Sequence, residues 1–393
     1  MGKITKLLDT LNRLCDTEEN KRRQSLWLES ECPIRGETQW HGIPGVGARP
    51  GAAMPVTAEC LNTLWLEILG FRLDRYYRDP EYYLEHYLRM KIEKFTEFPD
   101  DTPIDRNIPI GFGVVFEAGI LGQKYYLSPD EEPAFVADPV IKKASDFPAV
   151  FDFDSIEIIK TAQRFHNVIR NIAGKEFNVI FPVWFRGPQG VALYIRGFEN
   201  FLIDLTDNPG FVHRTMRYVT DAQKAFITWR ARYLEEPVYK VDLFNDDIPI
   251  MSPESYTEFV YPYERELCDL YGGIYYWHSC GDITRHIPDI NRLGDIDLLD
   301  FGVSMDDKGA GLSALNRSLN IEMRVLAHRY IQNAADDEIE VYMRDIVVSC
   351  RERNIEKYVL RTSGMSLLLG AREDLKRLVR WVELTRKVQG ELS

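Results

Sequence analysis

Long apolar stretches are absent from this sequence of 393 residues. No segment approaches the roughly 20 apolar residues that a membrane-spanning helix needs, and the first residues lack the continuous apolar core of a signal peptide. Glycine-rich dinucleotide turns and Walker sequences are absent too, which counts against an open doubly wound sheet that binds nucleotides. We therefore expect a cytoplasmic protein that does not contact a membrane.

Cysteine and positive charge are both scarce. The six cysteines are scattered without the spacing of a disulfide framework, which is typical of reduced thiols. Lys and Arg number 48 against 61 Asp and Glu, and the net charge of −13 disfavours binding to nucleic acid or to an anionic membrane surface. With 45% hydrophobic residues, the chain can still bury a large core, as one barrel domain or as two ordinary domains.

From about residue 107 onwards, short apolar runs alternate with longer helical patterns, which predicts a parallel sheet. The runs are almost continuously apolar, as expected for strands buried on both faces of a barrel surrounded by helices. We therefore predict an α/β fold, a (β/α)8 TIM barrel over residues 106–393, with an open doubly wound sheet as the alternative. Residues 1–105 are predicted to form an N-terminal extension of helices and an irregular loop that covers the barrel. Seven of the eight strands that such a barrel needs are visible as apolar runs, and the eighth is not resolved. The runs are 108–116, 179–185, 238–244, 273–277, 296–301, 321–326 and 357–360.

His278 and Cys280 stand two positions apart at the end of one of these runs. Residues at this spacing project to the same face of a strand, so an imidazole and a thiol can converge on one point. A pair of metal ligands or catalytic groups is one interpretation. A core histidine beside a buried free cysteine is the other, because free cysteine is among the most buried residue types.

The carboxyl ends of the predicted strands carry polar and aromatic residues, and barrel active sites lie on that face. Each could instead be structural: Glu117 could cap a helix, and Arg186 could pair with a neighbouring carboxylate. Taken together, they predict an active site rather than a purely structural set. We expect His278, Asp246 and Glu117 as catalytic groups, and as substrate-binding residues Arg186, Trp184, Phe244, Asn245, Tyr276 and Ser363.

Three motifs resemble the uroporphyrinogen decarboxylase superfamily. They are Arg186-Gly-Pro with the residues that follow it, Asn245-Asp-Asp-Ile-Pro, and Trp277-His-Ser-Cys-Gly-Asp. The resemblance covers roughly residues 60 to 385 and implies a (β/α)8 barrel. The superfamily contains decarboxylases of the tetrapyrrole pathway and methyltransferases that pass methyl groups to or from cobalamin-carrying proteins, thiols or folates.

The methyltransferase branch is the closer match. The arginine-rich N-terminal motif of true uroporphyrinogen decarboxylases, which holds substrate carboxylates, has no counterpart at residues 37–44. In the methyltransferases the His-x-Cys pair binds zinc, so the resemblance implies zinc at His278 and Cys280. Their second cysteine usually follows a glycine near the last strand, where this chain has Met365. A catalytic zinc needs a third protein ligand, which we assign to Asp246, with Glu117 and Asp247 as alternatives.

The resemblance implies an enzyme that moves a methyl group between a small substrate and a corrinoid. The substrate would be a methoxylated aromatic or a thiol or folate compound, and the corrinoid would be carried by a separate corrinoid-binding protein. A decarboxylase in which Arg186 holds a carboxylate remains open, as does a catalytically silent barrel that binds a corrinoid protein or a ligand. We also expect a homodimer.

Overall fold

The computed structural model describes residues 2–30, 54–147, 151–238, 240–301, 308–316, 319–356 and 358–392. Much of the irregular loop expected within the N-terminal extension falls on residues 31–53, outside these ranges. The described chain contains eight short strands that pair in parallel. They are β1 (Val56–Thr57), β2 (Asn107–Pro109), β3 (Asn178–Ile180), β4 (Val241–Phe244), β5 (Ile274–His278), β6 (Ile296–Asp300), β7 (Asn320–Val325) and β8 (Tyr358–Thr362).

The strands follow one another in chain order around the sheet. One ladder runs from β4 through β5, β6, β7 and β8 to β1, and a second joins β2 to β3. A bridge between Arg186 and Phe244 connects the chain after β3 to β4. Between β1 and β2, the amide of Asp101 donates to the carbonyl of Val56 at 2.8 Å. This order and the parallel pairing confirm the predicted α/β fold of the TIM-barrel type.

Each of the seven apolar runs of the sequence overlaps one strand. The eighth strand, β1, lies inside the segment assigned to the N-terminal extension, so the sheet also draws on residues before 106. A strand of two residues is too short to show a periodic pattern, so β1 is recognisable only through its pairing with β8. The strand in the first run is shorter than predicted. It ends at Pro109, residues 113–115 form a 3-10 helix, and Phe116 and Glu117 begin an α-helix.

Helices follow each strand and pack against the sheet. The apolar side chains between the two layers form the core, with Trp65, Phe226 and Trp381 almost completely buried. Proline starts several helices after a capping residue, as in α5 (Pro80–Glu97), where the Asp79 carboxylate accepts from the amides of Glu81 and Tyr82. The longer helices are α1 (Gly2–Cys15), α2 (Glu18–Ser30), α3 (Asn62–Leu69), α5 (Pro80–Glu97), α7 (Glu157–Ala173), α8 (Pro188–Arg196), α9 (Phe198–Asp207), α10 (Pro209–Leu234), α12 (Tyr261–Tyr271), α15 (Asp336–Glu352) and α16 (Ala371–Leu392).

The described ranges also contain short 3-10 and π segments and five shorter α-helices: α4 (Leu73–Tyr76), α6 (Phe116–Ile120), α11 (Pro253–Phe259), α13 (Ile287–Arg292) and α14 (Lys308–Ala314). A small antiparallel hairpin joins residues 125–126 to 134–135. Among the helices that the structure describes, none combines the length and the hydrophobicity of a membrane span. The loops after the strand ends bring together the polar side chains considered next.

Candidate active site

Asp246, His278 and Cys280 form a compact cluster at the carboxyl ends of β4 and β5. One potential ligand atom from each residue lies within 4.8 Å of the others. The Nε2 atom of His278 is 2.9 Å from Asp246 Oδ1 and 3.3 Å from Cys280 Sγ. His278 is buried, Asp246 is half-buried and Cys280 is exposed. The cluster therefore opens to solvent on the side of the thiol.

Backbone contacts between neighbouring strands position the cluster. The amide of Asn245 donates to the carbonyl of His278 at 2.7 Å, which places Asp246 directly beside the imidazole. The chain then turns at Gly281 against Pro249, where a Cβ atom would lie only 2.5 Å from Pro249 Cγ. Glycine is required here because the two loops approach too closely for any side chain.

A buried carboxylate lies behind the imidazole. Asp300, the last residue of β6, is completely buried and its Oδ2 atom contacts Nδ1 of His278. The same oxygen accepts from Arg324 Nη1 at 2.6 Å. Arg324 lies on β7 and also approaches Cys280 Sγ at 3.9 Å. The imidazole therefore has a carboxylate at each ring nitrogen and a guanidinium alongside.

These charges shift the proton affinities of the cluster. Burial alone would lower the pKa of His278, but Asp300 and Asp246 outweigh burial and the repulsion by Arg324, and they raise this pKa to about 10. Burial would raise the pKa of Asp246, yet His278 and Arg186 hold it well below its ordinary value. Without a bound metal, the imidazole is thus an imidazolium between two carboxylates.

A second buried network continues from the cluster across the barrel. The hydroxyl of Tyr276 donates to Glu322 Oε1 at 2.7 Å and lies 3.3 Å from Asp300 Oδ2. Glu322 accepts from Arg361 at 3.1 Å, and Arg361 also pairs with Glu59 at 2.7 Å. Each charge in this buried network has a partner of opposite sign, which limits the cost of burying it.

Arg186 and Glu117 lie on the other side of Asp246. Arg186 Nη2 is 3.5 Å from Asp246 Oδ2, while its Nε and Nη1 atoms have no hydrogen-bond partner among the described residues. Glu117 Oε1 accepts from the amides of Phe185 and Arg186 at 2.9 and 3.2 Å. Burial raises the pKa of Glu117. Glu117 therefore holds the loop after β3, and Arg186 is a buried cation next to the cluster.

The other residues expected to bind substrate lie at different depths. The ring of Phe244 is 4.7 Å from the His278 ring, so it forms a wall of the cluster. Trp184 is buried and its indole donates inward to the carbonyl of Arg186. Asn245 and Tyr276 are also enclosed by protein, while Ser363 Oγ accepts from the amide of Ala327 and joins the loops after β7 and β8.

The structure distinguishes the three candidates for the third metal ligand. Asp246 joins His278 and Cys280, whereas neither Glu117 nor Asp247 belongs to the cluster. Met365 is completely buried, and its amide donates to the carbonyl of Glu59. The donor set is one imidazole, one thiol and one carboxylate, which zinc accepts as a mixed site.

Asp300 and Arg324 were missed in the sequence, although a signal was present. Asp300 ends the strand at 296–300 and Arg324 lies in the strand at 320–325, each next to buried apolar residues. A charge in a strand buried on both faces must be paired, so two opposite charges in adjacent runs indicate an ion pair in the barrel.

The family model of uroporphyrinogen decarboxylase (URO-D) matches residues 92–321, more than half of the chain. Among solved structures, a methyltransferase from Methanosarcina mazei has the same fold, with a TM-score of 0.59 and 14% sequence identity. The similarity covers 86% of this chain and 94% of the methyltransferase. A comparison with curated protein sequences finds no match.

Proposed function

The chain belongs to the uroporphyrinogen decarboxylase family, and we propose that it is a methyltransferase within that family, with zinc bound by Asp246, His278 and Cys280. The cluster of these three residues at the carboxyl ends of β4 and β5 is the observation that carries the proposal. Active sites of barrel enzymes lie at this end of the strands. A methyltransferase among the structures of the same fold is consistent with this activity.

The cluster has the chemistry of a catalytic zinc site. Three protein ligands leave a position for substrate, and the exposed thiol lies on the side from which a substrate would arrive. The carboxylate of Asp300 on Nδ1 leaves Nε2 of His278 to face the other two ligands. Zinc-binding histidines usually have such a carboxylate or carbonyl partner.

Zinc at this position would lower the pKa of a bound thiol or polarise the C–O bond of a bound methyl ether. The residues of the chain have separate tasks. Asp246 and Cys280 supply negative charge, and Phe244 provides an aromatic wall against which a flat substrate can pack. These features favour a methoxylated aromatic or a thiol as the small substrate.

The methyl acceptor or donor would be a corrinoid on a separate protein, or a folate. Apolar residues near the ends of β1 and β8 support the docking of such a protein: Leu61 is 37% exposed, and Leu367, Leu368 and Leu369 are 41–50% exposed. Leu61 lies against Gly364, where an added Cβ would be 2.6 Å from it, and Leu367, Leu368 and Leu369 follow Gly364 in the loop after β8, at the rim of the barrel. An apolar rim of this kind is typical of an interaction surface.

A decarboxylase is the second candidate, because Arg186 has two buried guanidinium nitrogens without a partner among the described residues. A substrate carboxylate could meet this charge after a small rearrangement of the side chain. The electron pair left by loss of carbon dioxide would then need a proton from an acid of the site.

Paired activity assays separate the candidates. We expect methyl transfer from methoxylated aromatics to reduced cobalamin, detected by the change in its absorption spectrum, and we expect His278→Ala to abolish it. Cys15→Ser, on α1, is a control that should keep full activity. Release of carbon dioxide from porphyrinogen without methyl transfer would replace the proposal by the decarboxylase. Activity in neither assay would refute both enzymes and favour a binding protein.

A further inference from the structure

Asp300 is buried at the end of β6 and contacts the candidate zinc site only through other side chains. Its Oδ2 atom contacts Nδ1 of His278 and accepts from Arg324 at 2.6 Å. The hydroxyl of Tyr276 lies 3.3 Å from the same oxygen. Asp300 has no exposed surface, so it cannot touch a substrate directly.

The imidazole of His278 is held from its edge and from its faces. Asp300 holds the edge at Nδ1, while the Phe244 and Tyr276 rings lie 4.7 and 5.7 Å from the imidazole ring. With Nδ1 occupied by a carboxylate, Nε2 is the ring nitrogen that faces Asp246 and Cys280, and zinc bound there would take the place of its proton. A carboxylate partner fixes both the tautomer and the orientation of a metal-binding histidine.

We propose that Asp300 is a positioning residue that orients His278 for zinc, and that Arg324 holds Asp300 in place rather than contributing to the metal site itself. The inference rests on the proposed function, since it presupposes zinc at the cluster. It assigns a role to an ion pair that spans β6 and β7, two strands whose ends supply no ligand.

Removing Asp300 alone would not be decisive. The guanidinium of Arg324 would lose its 2.6 Å carboxylate partner. It would remain 3.0 Å from Nδ1 and 3.4 Å from Nε2 of His278, and an unpaired cation so near the site would repel zinc. Weaker zinc binding in Asp300→Asn could then reflect repulsion instead of lost orientation. The double variant Asp300→Asn with Arg324→Met removes both charges and separates the two causes.

The experiment measures the zinc dissociation constant of the full chain by competition with a chromophoric chelator. We expect Asp300→Asn to weaken zinc binding by about 10- to 100-fold. The double variant should stay as weak, and Arg324→Met alone should remain within a few-fold of the parent. In cobalt-substituted protein, the visible bands should shift in both variants that lack Asp300, because the imidazole changes its position at the metal.

The outcomes are distinct. A parent protein that binds no zinc removes both the inference and the proposed zinc site. Zinc binding in the parent together with parent-like affinity and spectrum in Asp300→Asn overturns only the inference. Recovery of parent affinity in the double variant also overturns it, because repulsion by Arg324 would then explain the loss.

A measurement on the unmutated protein covers the case in which the variants do not fold. Nitrogen-15 spectra of the zinc-loaded parent identify which ring nitrogen of His278 carries the proton. The inference predicts a proton on Nδ1, facing Asp300, and metal on Nε2. A proton on Nε2 would overturn it.

Discussion

Glu264 is a buried carboxylic acid on α12 whose replacement by glutamine gives a quantitative test of the structure. Its side chain is completely buried against β5, and its Oε2 atom accepts from Tyr256 at 2.8 Å and from Trp277 at 3.2 Å. Burial raises the pKa of Glu264 from 4.5 to about 7, although the two hydrogen bonds oppose the shift. The folded protein therefore keeps a proton that the unfolded chain loses near pH 4.5.

This shift makes stability fall with rising pH. The contribution of Glu264 is fully present below its unfolded pKa of 4.5 and is lost as the pH rises through about 7. At about 1.4 kcal/mol per pKa unit, the loss amounts to roughly 3 kcal/mol of unfolding free energy. For a chain of this length, that corresponds to a change of about 4 °C in the melting temperature.

Glutamine has the shape of the protonated acid but does not titrate. Glu264→Gln should therefore melt close to the parent at pH 4.5 and about 4 °C above it at pH 8. Thermal unfolding of both proteins at several pH values measures the difference, which cancels the contribution of all other titrating groups. A difference that does not change between pH 4.5 and 8 would refute the reasoning.

Three further substitutions, the first with a matched control, have expected results. Gly281→Ala should lower the affinity for zinc without changing a ligand, because its Cβ would lie 2.5 Å from Pro249. Gly210→Ala, which has open space around the new Cβ, should leave the affinity unchanged. Zinc titration of the two variants measures the difference. Asp79→Ala removes the cap of α5 and should cost about 1 kcal/mol of unfolding free energy in urea denaturation. Arg361→Met leaves two carboxylates near β7 and β1 without their cation and should cost about 3–5 kcal/mol, seen as a lower melting temperature.

The sequence predicted most of the sheet because its strands carry several buried apolar residues each. In residues 320–325, Ile321, Met323 and Val325 are apolar and buried, alongside the charged Glu322 and Arg324. The strand at Val56 and Thr57 was not predicted, because two residues show no periodic pattern. This strand is defined only by its pairing with β8. The end of the first run was also misread, since Phe116 continues the apolar pattern but begins a helix.

The site was only partly predictable. The i, i+2 spacing of His278 and Cys280 indicates that they share a face, and the structure brings Asp246 to them through a backbone hydrogen bond at the end of β5. The directions in which side chains point could not be predicted. The indole of Trp184 turns inward to a backbone carbonyl, and no local pattern in the sequence encodes that orientation.

Zinc content tests the central claim most directly. Metal analysis of the full chain purified without chelator should find about one zinc per chain in the parent and in Cys15→Ser. Cys280→Ser removes a thiolate from the cluster while keeping the size of the side chain, and it should lose most of the metal. A parent protein without stoichiometric zinc, or a Cys280→Ser variant that retains it fully, would contradict the account.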